Sequence, residues 1–262
     1  MIRDSPRARS CAGEAGARTA RGQIDGDGDG STMMKRSRTV YEVISPLTGR
    51  IRVVDYRSER RLIVAGAILS IFPLNGDWSY IRKEYWWHAL ALAAPERGGT
   101  ALFVGLGGGT QVHLLTRLAR PKLVTLIERD PEMITIACDW FDLRKLGPLE
   151  FMCGEAQDLL PTLSAAGRRF DLVVEDAAYA AEPEQSMALG KALAPLVAPG
   201  GSLVINRHRR GDGRRLAAML RQRFDKVRVQ RVRREGENVL VCADRPKARQ
   251  LNTARQLRGS RL

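Results

Sequence analysis

Ala101-Leu102-Phe103-Val104-Gly105-Leu106-Gly107-Gly108-Gly109-Thr110 is the stretch that decides the fold of this chain. Its apolar start reads as a buried parallel strand, and glycines follow at once. Val112-His113-Leu114-Leu115 then opens a helical pattern. Glycine permits a tight turn and lets backbone approach a ligand closely. The helix N-terminus behind it presents free N–H groups. The next apolar run, Leu123-Val124-Thr125-Leu126-Ile127, ends in Glu128, roughly 20 residues on, where a carboxylate can accept two hydrogen bonds from a ribose diol. This predicts a nucleoside site built from Gly105, Gly107, Gly108, Gly109, Thr110 and Glu128. The glycine pattern alone does not say which nucleoside.

Outward from this unit, strands and helices alternate. Strands are expected at 100–105, 122–128, 149–153, 170–176, 201–206, 226–232 and 237–243, and helices at 109–119, 131–141, 185–197 and 211–223. Such alternation means an α/β fold with a doubly wound, mostly parallel sheet. The last two strands, joined by Arg234-Glu235-Gly236-Glu237, are close enough for a hairpin, so one strand runs antiparallel. Phe170-Asp171-Leu172-Val173-Val174-Glu175-Asp176 is a buried strand ending in two acids. Gly105, Glu128, Gly154-Glu155 and Asp176 all fall at carboxyl ends of strands, where such sheets bind ligands. The plainer reading of Asp176 is a helix cap or a turn residue. Upstream, Thr39 to Phe72 is alternating and β-branched around the turn Pro46-Leu47-Thr48-Gly49, a small antiparallel β-unit. Residues 78–93 carry Tyr80, Tyr85, Trp86 and Trp87 at helical spacing.

The 262 residues are 44% hydrophobic, enough for one large domain or one domain plus a small one. Residues 1–34 are read as disordered, 35–75 as the β-unit, 76–244 as the nucleoside-binding domain and 245–262 as a disordered basic tail. Met33-Met34, just before the first patterned segment, is a second candidate start of translation. Asp25 to Gly30 resembles the start of a calcium loop, but its twelfth position is Arg36, where a bidentate Glu is required. Cys11, Cys138, Cys153 and Cys242 form no CxxC pair and no metal spacing, which fits a reduced, cytoplasmic compartment. No apolar run approaches the roughly 18 residues of a membrane span, and no secretory signal is visible. Net charge is +14. Residues 1–34 hold five basic and five acidic side chains, the tail holds six basic ones, and much of the rest lies between Arg207 and Arg234. That run could offer a basic face to nucleic acid. No aromatics interleave it, so a solvated surface is favoured.

Four pieces carry a family resemblance: Gly105 to Thr110, Ile127-Glu128-Arg129-Asp130-Pro131-Glu132, Phe170 to Asp176, and Pro199-Gly200-Gly201-Ser202-Leu203-Val204. With the β-unit, they make the chain resemble the polyamine aminopropyltransferase (spermidine synthase) family and its AdoMet-dependent methyltransferase relatives. The resemblance runs from about Tyr41 to Ala243 and is strongest to the spermidine synthase-like branch, which carries a Gly-Leu-Gly-Gly-Gly loop. It implies a seven-stranded class I methyltransferase domain preceded by a β-hairpin domain. It implies AdoMet or decarboxylated AdoMet as cofactor, no metal, and transfer of a methyl or aminopropyl group to an amine or other small nucleophile. By the same resemblance Glu128 holds the ribose, Glu155 and Ala156 read adenine, and Asp176 takes a proton from the attacking amine. Tyr80, Glu84, Tyr179 and Pro183 fall on the acceptor side.

The departures from the family pattern are physical. Gly108 stands where the family gathers the cofactor's amino end with Asp, Tyr179 where it has a second acid, and Lys83 where it has His. Its glutamine after the β-unit is Leu69 or Ser70 here. Fewer acids and a strongly basic chain disfavour a polycation, so an acceptor less cationic than putrescine is expected. Two other readings stay open. One is a non-catalytic nucleoside binder acting through its basic surface. The other is an NAD-dependent dehydrogenase, disfavoured because its fingerprint wants Gly where Thr110 stands. A homodimer also stays open.

Overall fold

The structure is a computed structural model that describes residues 37–177, 182–208, 211–232 and 237–247. The expectations for residues 1–34, for Tyr179 and for the tail after Lys247 lie outside the described residues. Strands β1 (Arg38–Ser45), β2 (Gly49–Asp55), β3 (Glu59–Val64) and β4 (Ala67–Pro73) form an antiparallel sheet in chain order. The β3–β4 turn, Ala65-Gly66, has both residues at positive φ (49° and 83°), the twist a two-residue hairpin needs.

A 3₁₀ turn, Ser79–Lys83, and helix α1 (Tyr85–Ala93) lead to the main sheet. The single helix expected over 78–93 is broken at Glu84, which is extended (φ −92°, ψ 156°). Then follow β5 (Thr100–Val104), α2 (Thr110–Ala119), β6 (Leu123–Glu128), α3 (Pro131–Trp140), β7 (Leu149–Cys153) and α4 (Ala156–Ala165). After them come β8 (Phe170–Glu175), α5 (Pro183–Leu193), β9 (Val197–His208), α6 (Gly213–Arg221), β10 (Phe224–Val232) and β11 (Asn238–Pro246). The sheet order is β10-β11-β9-β8-β5-β6-β7. Only β11 runs against its neighbours, so the doubly wound α/β reading with one antiparallel strand holds.

Strand periodicity sorts the core. Ala101 and Phe103 of β5 face one layer, with Trp86, Leu90, Leu114 and Leu115, while Leu102 and Val104 face the other, with Leu160, Leu193, Leu216 and Leu220. A third cluster joins the small sheet to α3 through Ile51, Val53, Leu62, Met133, Ile136 and Phe141.

Three boundaries differ from the sequence reading. Helix α4 was not foreseen, because Pro161 lies inside it and interrupts the helical signature. The helix expected over 185–197 ends at Leu193, where Ala194–Leu196 tightens into a 3₁₀ turn around Pro195 and β9 begins four residues early. Strand β11 continues past 244, and the Lys247 N–H donates to the Arg223 carbonyl at 2.9 Å. The basic run also reads differently in three dimensions. Arg207 is 1% exposed and ion-paired with Glu175 and Asp212, and Arg228 is paired with Asp244 at 2.7 Å. Arg207 therefore belongs to the interior and adds nothing to a basic face.

Candidate active site

Strand order reverses at β5, which has β6 on one side and β8 on the other. Loops leaving such a point diverge and open a crevice at the carboxyl ends. A cavity of about 840 Å³ lies there. The rim is held in register beyond the strands. The Gly105 N–H donates to the Ile127 carbonyl (2.9 Å), Asp176 N–H to Val104 (2.9 Å) and Gly154 N–H to Glu128 (3.0 Å). These bonds bring Gly105, Gly107, Thr110, Glu128, Glu155, Ala156 and Asp176 onto one wall system.

Gly105 has φ +88°, and a Cβ there would stand 2.9 Å from the Ala177 nitrogen, so only glycine lets the loops after β5 and β8 touch. Gly108 and Gly109 are not on the cavity wall, contrary to the sequence expectation. They shape the loop from behind. A Cβ on Gly108 would meet Phe141 Cδ1 at 2.9 Å, and one on Gly109 would meet Leu143 Cδ1 at 2.7 Å. The small sheet braces this loop. Ser70 Oγ accepts the Gly108 N–H (2.7 Å), and Thr110 Oγ1 accepts the Ile71 N–H and donates to the Ile71 carbonyl, both at 3.0 Å. Leu69, the neighbouring residue, faces the cavity.

Glu128 accepts the Leu106 N–H on Oε2 (3.0 Å) and the Asp130 N–H on Oε1 (3.1 Å). Burial raises its pKa, against these backbone bonds. Each oxygen keeps a lone pair for a hydroxyl donor. Glu155 is exposed at the N-cap of α4 and sits 3.7 Å from Arg129.

Asp176 is the most perturbed acid of the site. Its Oδ1 accepts from Asn206 Nδ2 at 2.7 Å, and its Oδ2 accepts from the Tyr85 hydroxyl at 2.8 Å. Enclosure by protein pushes its pKa up to about 6, and Glu175 adds to the rise, while Asn206, Tyr85 and Arg207 pull it back. Arg207 supports the arrangement from behind. It pairs with buried Glu175, donates to Ser186 Oγ (2.6 Å), and donates to the carbonyl of Asn206 (2.7 Å). Tyr85 and Asn206 were not assigned to the site from sequence. Asn206 carried a signal, as the polar end of the apolar run Leu203-Val204-Ile205.

The profile of a family described as "Methyltransferase domain" matches residues 95–251, well over half of the chain. The chain belongs to the methyltransferase-domain family. Solved structures agree in fold. The spermidine synthase from Thermotoga maritima is 13% identical, with a TM-score of 0.59 over 79% of this chain and 72% of that one. A probable spermidine synthase from Corynebacterium glutamicum is 18% identical, with a TM-score of 0.57 over 81% of both chains. The N-methyltransferase NodS from Bradyrhizobium japonicum is 20% identical, with a TM-score of 0.51 over 65% of this chain and 99% of that one. A comparison with curated proteins finds no matching sequence.

On this methyltransferase-domain scaffold the acceptor-side expectations are only partly gathered. Tyr80 does not line the cavity. It packs at the edge of the core beside Glu59, and burial raises its phenol pKa. Glu84 is half-buried at the N-cap of α1, and Pro183 is exposed at the first turn of α5, both off the wall. Trp86 is buried and fronts the cavity, whereas Trp87 packs under Arg82. Among the described residues no group of three His, Cys, Asp or Glu could hold a metal ion, and no helix is long and apolar enough to cross a membrane.

Proposed function

We propose that this protein is an AdoMet-type alkyltransferase that acts on a neutral or weakly cationic small-molecule acceptor, with Asp176 as general base. The observation that carries the reading is Asp176 at the cavity, held by Tyr85 and Asn206, with its pKa lifted to about 6. A base is most useful when its pKa lies near the working pH.

The chain's residues fit the absent nucleoside. Glu128 keeps lone pairs for two hydroxyls, Gly105 and Gly107 let backbone approach it, and Glu155 and Ala156, on the same cavity wall, would hold its base. Such a cofactor supplies a carbon activated by a sulfonium and leaves as a neutral thioether. Asp176 would take the proton that the acceptor's nucleophilic atom gives up, on a carboxylate oxygen. Tyr85 and Asn206 fix that carboxylate, so no reorganisation is needed at the moment of transfer.

The same wall argues against a polyamine. Its acids are Glu128, Glu155 and Asp176; Glu128 is engaged by backbone N–H groups and Glu155 sits beside Arg129. One carboxylate cannot neutralise a chain of cations. The test is turnover with AdoMet and with decarboxylated AdoMet over a panel of amine, phenol and carboxylate acceptors, in the parent and in Asp176→Asn. Loss of about 10²–10⁴-fold in turnover is expected for the variant. Efficient aminopropylation of putrescine would overturn the acceptor class.

A further inference from the structure

Arg207, near the end of β9, is the largest fully buried side chain among the described residues. Two carboxylates are buried with it, Glu175 and Asp212. Burying such ions costs desolvation, and apolar side chains of similar volume often serve a core as well. What this guanidinium does that an apolar side chain cannot is bond three elements at once. Its Nη1 donates to Glu175 at the end of β8 and to the Asn206 carbonyl on β9 at 2.7 Å. Its Nε donates to Ser186 Oγ on α5 at 2.6 Å, and its Nη2 to the Ser186 carbonyl at 3.3 Å. Ser186 Oγ in turn donates to the carboxylate of Asp212, the N-cap of α6, at 2.9 Å. A lysine carries a point charge and could not span these partners as a rigid fork does. Each arm leads to the cavity. Asn206 holds Asp176 through its side-chain amide at 2.7 Å. Glu175 also accepts the N–H of Ala177, a wall residue, at 2.9 Å. Helix α5 presents Gln185, Ala188 and Leu189 to the cavity, on either side of Ser186 in the chain.

We propose that Arg207 is a positioning residue, a buried clamp that fixes the α5 wall of the cavity to the strand ends carrying Asp176. It deepens the reading of Asp176 as general base and rests on it. Arg207 is not on the cavity wall, so it acts through Asn206, Glu175 and Ser186. The charged and titratable groups acting on Asp176 are Glu175 beside it, Arg207 on β9 and Tyr85 on α1, with the neutral amide of Asn206.

The test is the titration of Asp176 in the full chain, followed by the carbon-13 shift of its carboxyl, with the resonance identified by its loss in Asp176→Asn. The deciding variant is the pair Arg207→Met with Glu175→Gln. It removes a cation and an anion together, so a change at Asp176 reports position rather than net charge. Once the Asn206 carbonyl is released, the amide bond that favours the carboxylate loosens. The midpoint should then rise by about one pH unit, the scale of losing one hydrogen bond to a charged group. Hydrogen exchange of the α5 amides should quicken several-fold in the same variant. A merely structural role would lower the melting temperature and leave the midpoint in place. A midpoint unmoved or lowered, or α5 exchange as slow as in the parent, would overturn the clamp. Should the pair fail to fold, Arg207→Lys, which keeps the charge and loses the fork, is read by the same two criteria. Turnover is a separate reading. Full turnover in Asp176→Asn would overturn the general base, whereas an unmoved midpoint would remove the clamp and leave the general base standing.

Discussion

At the scale of the residue, Asp176 carries the proposed chemistry, and its protonation is open to measurement. Its carboxyl is raised to about 6 by enclosure first and by Glu175 second. The proposed base is therefore lost as pH falls through about 6, and turnover per bound cofactor should fall with it. A cation in the cavity favours the carboxylate form, so binding and deprotonation are coupled. The affinity of AdoMet relative to adenosylhomocysteine should thus rise as pH increases through about 6, and Asp176→Asn should flatten that ratio. A ratio that is flat in the parent would mean that the carboxylate does not sense the sulfonium. Glu128→Ala should weaken methylthioadenosine binding by about 1–3 kcal/mol, the scale of losing charge-assisted hydrogen bonds. Both acids were legible in the sequence because each ends an apolar strand, and strand ends of this sheet face the cavity. Tyr85 was not, since it reaches Asp176 from 91 positions away.

At the scale of the element, the glycine loop is held by the small sheet rather than by its own sequence. Strand β4 presents Ser70 to the Gly108 N–H and both backbone groups of Ile71 to Thr110 Oγ1. Thr110 is 3% exposed and Ile71 8%, so water does not replace these bonds. Thr110→Val keeps the volume and removes the hydroxyl, leaving a buried donor and a buried acceptor. Each orphaned group costs about 1–3 kcal/mol. Thr110→Val should lower the melting temperature measurably, whereas Thr110→Ser, which keeps the oxygen, should recover most of the loss. Equal destabilisation by the two variants would show that the methyl packing, and not the bond pair, joins the sheets. The strand–loop–helix unit was readable from its glycines, but the brace was not, because β4 meets the glycine loop and the start of α2 through contacts 38 and 39 residues apart. Helix α4 was missed for a local reason, Pro161 inside it, and the break at Glu84 because periodicity runs on through a single extended residue.

At the scale of the whole molecule, the doubly wound sheet with its one antiparallel strand followed from βα alternation and the terminal hairpin, while the basic run at Arg207 misled, since burial and pairing depend on what folds against it. Stability against pH exposes that interior. His113 is 3% exposed and joins α2 to the end of α3 through Nε2 and the Phe141 carbonyl at 2.7 Å. A carbonyl only accepts, so Nε2 carries the proton and the neutral ring turns Nδ1 toward Arg117. Burial first, and Arg117 next, push this histidine down to about 4, against the bond to Phe141 and the charge of Asp142. A depressed folded pKa means that the unfolded chain binds the proton more readily, so His113 contributes stability that is complete above about 6.5 and is lost as pH falls toward 4. The shift is worth about 3 kcal/mol at full effect. Asp176 works in the opposite direction. Its raised folded pKa makes its ionised form a burden on the fold above about 6, relieved as pH falls toward the unfolded value near 4. Cavity water screens that contribution, which should be the smaller of the two. The two groups therefore oppose each other between pH 6 and 4, and single variants separate them. His113→Gln keeps an N–H for Phe141 but cannot titrate. Its stability deficit relative to the parent, measured by urea unfolding, should narrow as pH drops from 7 to 4.5. Asp176→Asn should do the reverse, being most favourable relative to the parent at pH 7 and losing that advantage in acid. Unfolding free energies that run parallel to the parent for both variants would mean that neither group titrates inside the fold as its surroundings dictate.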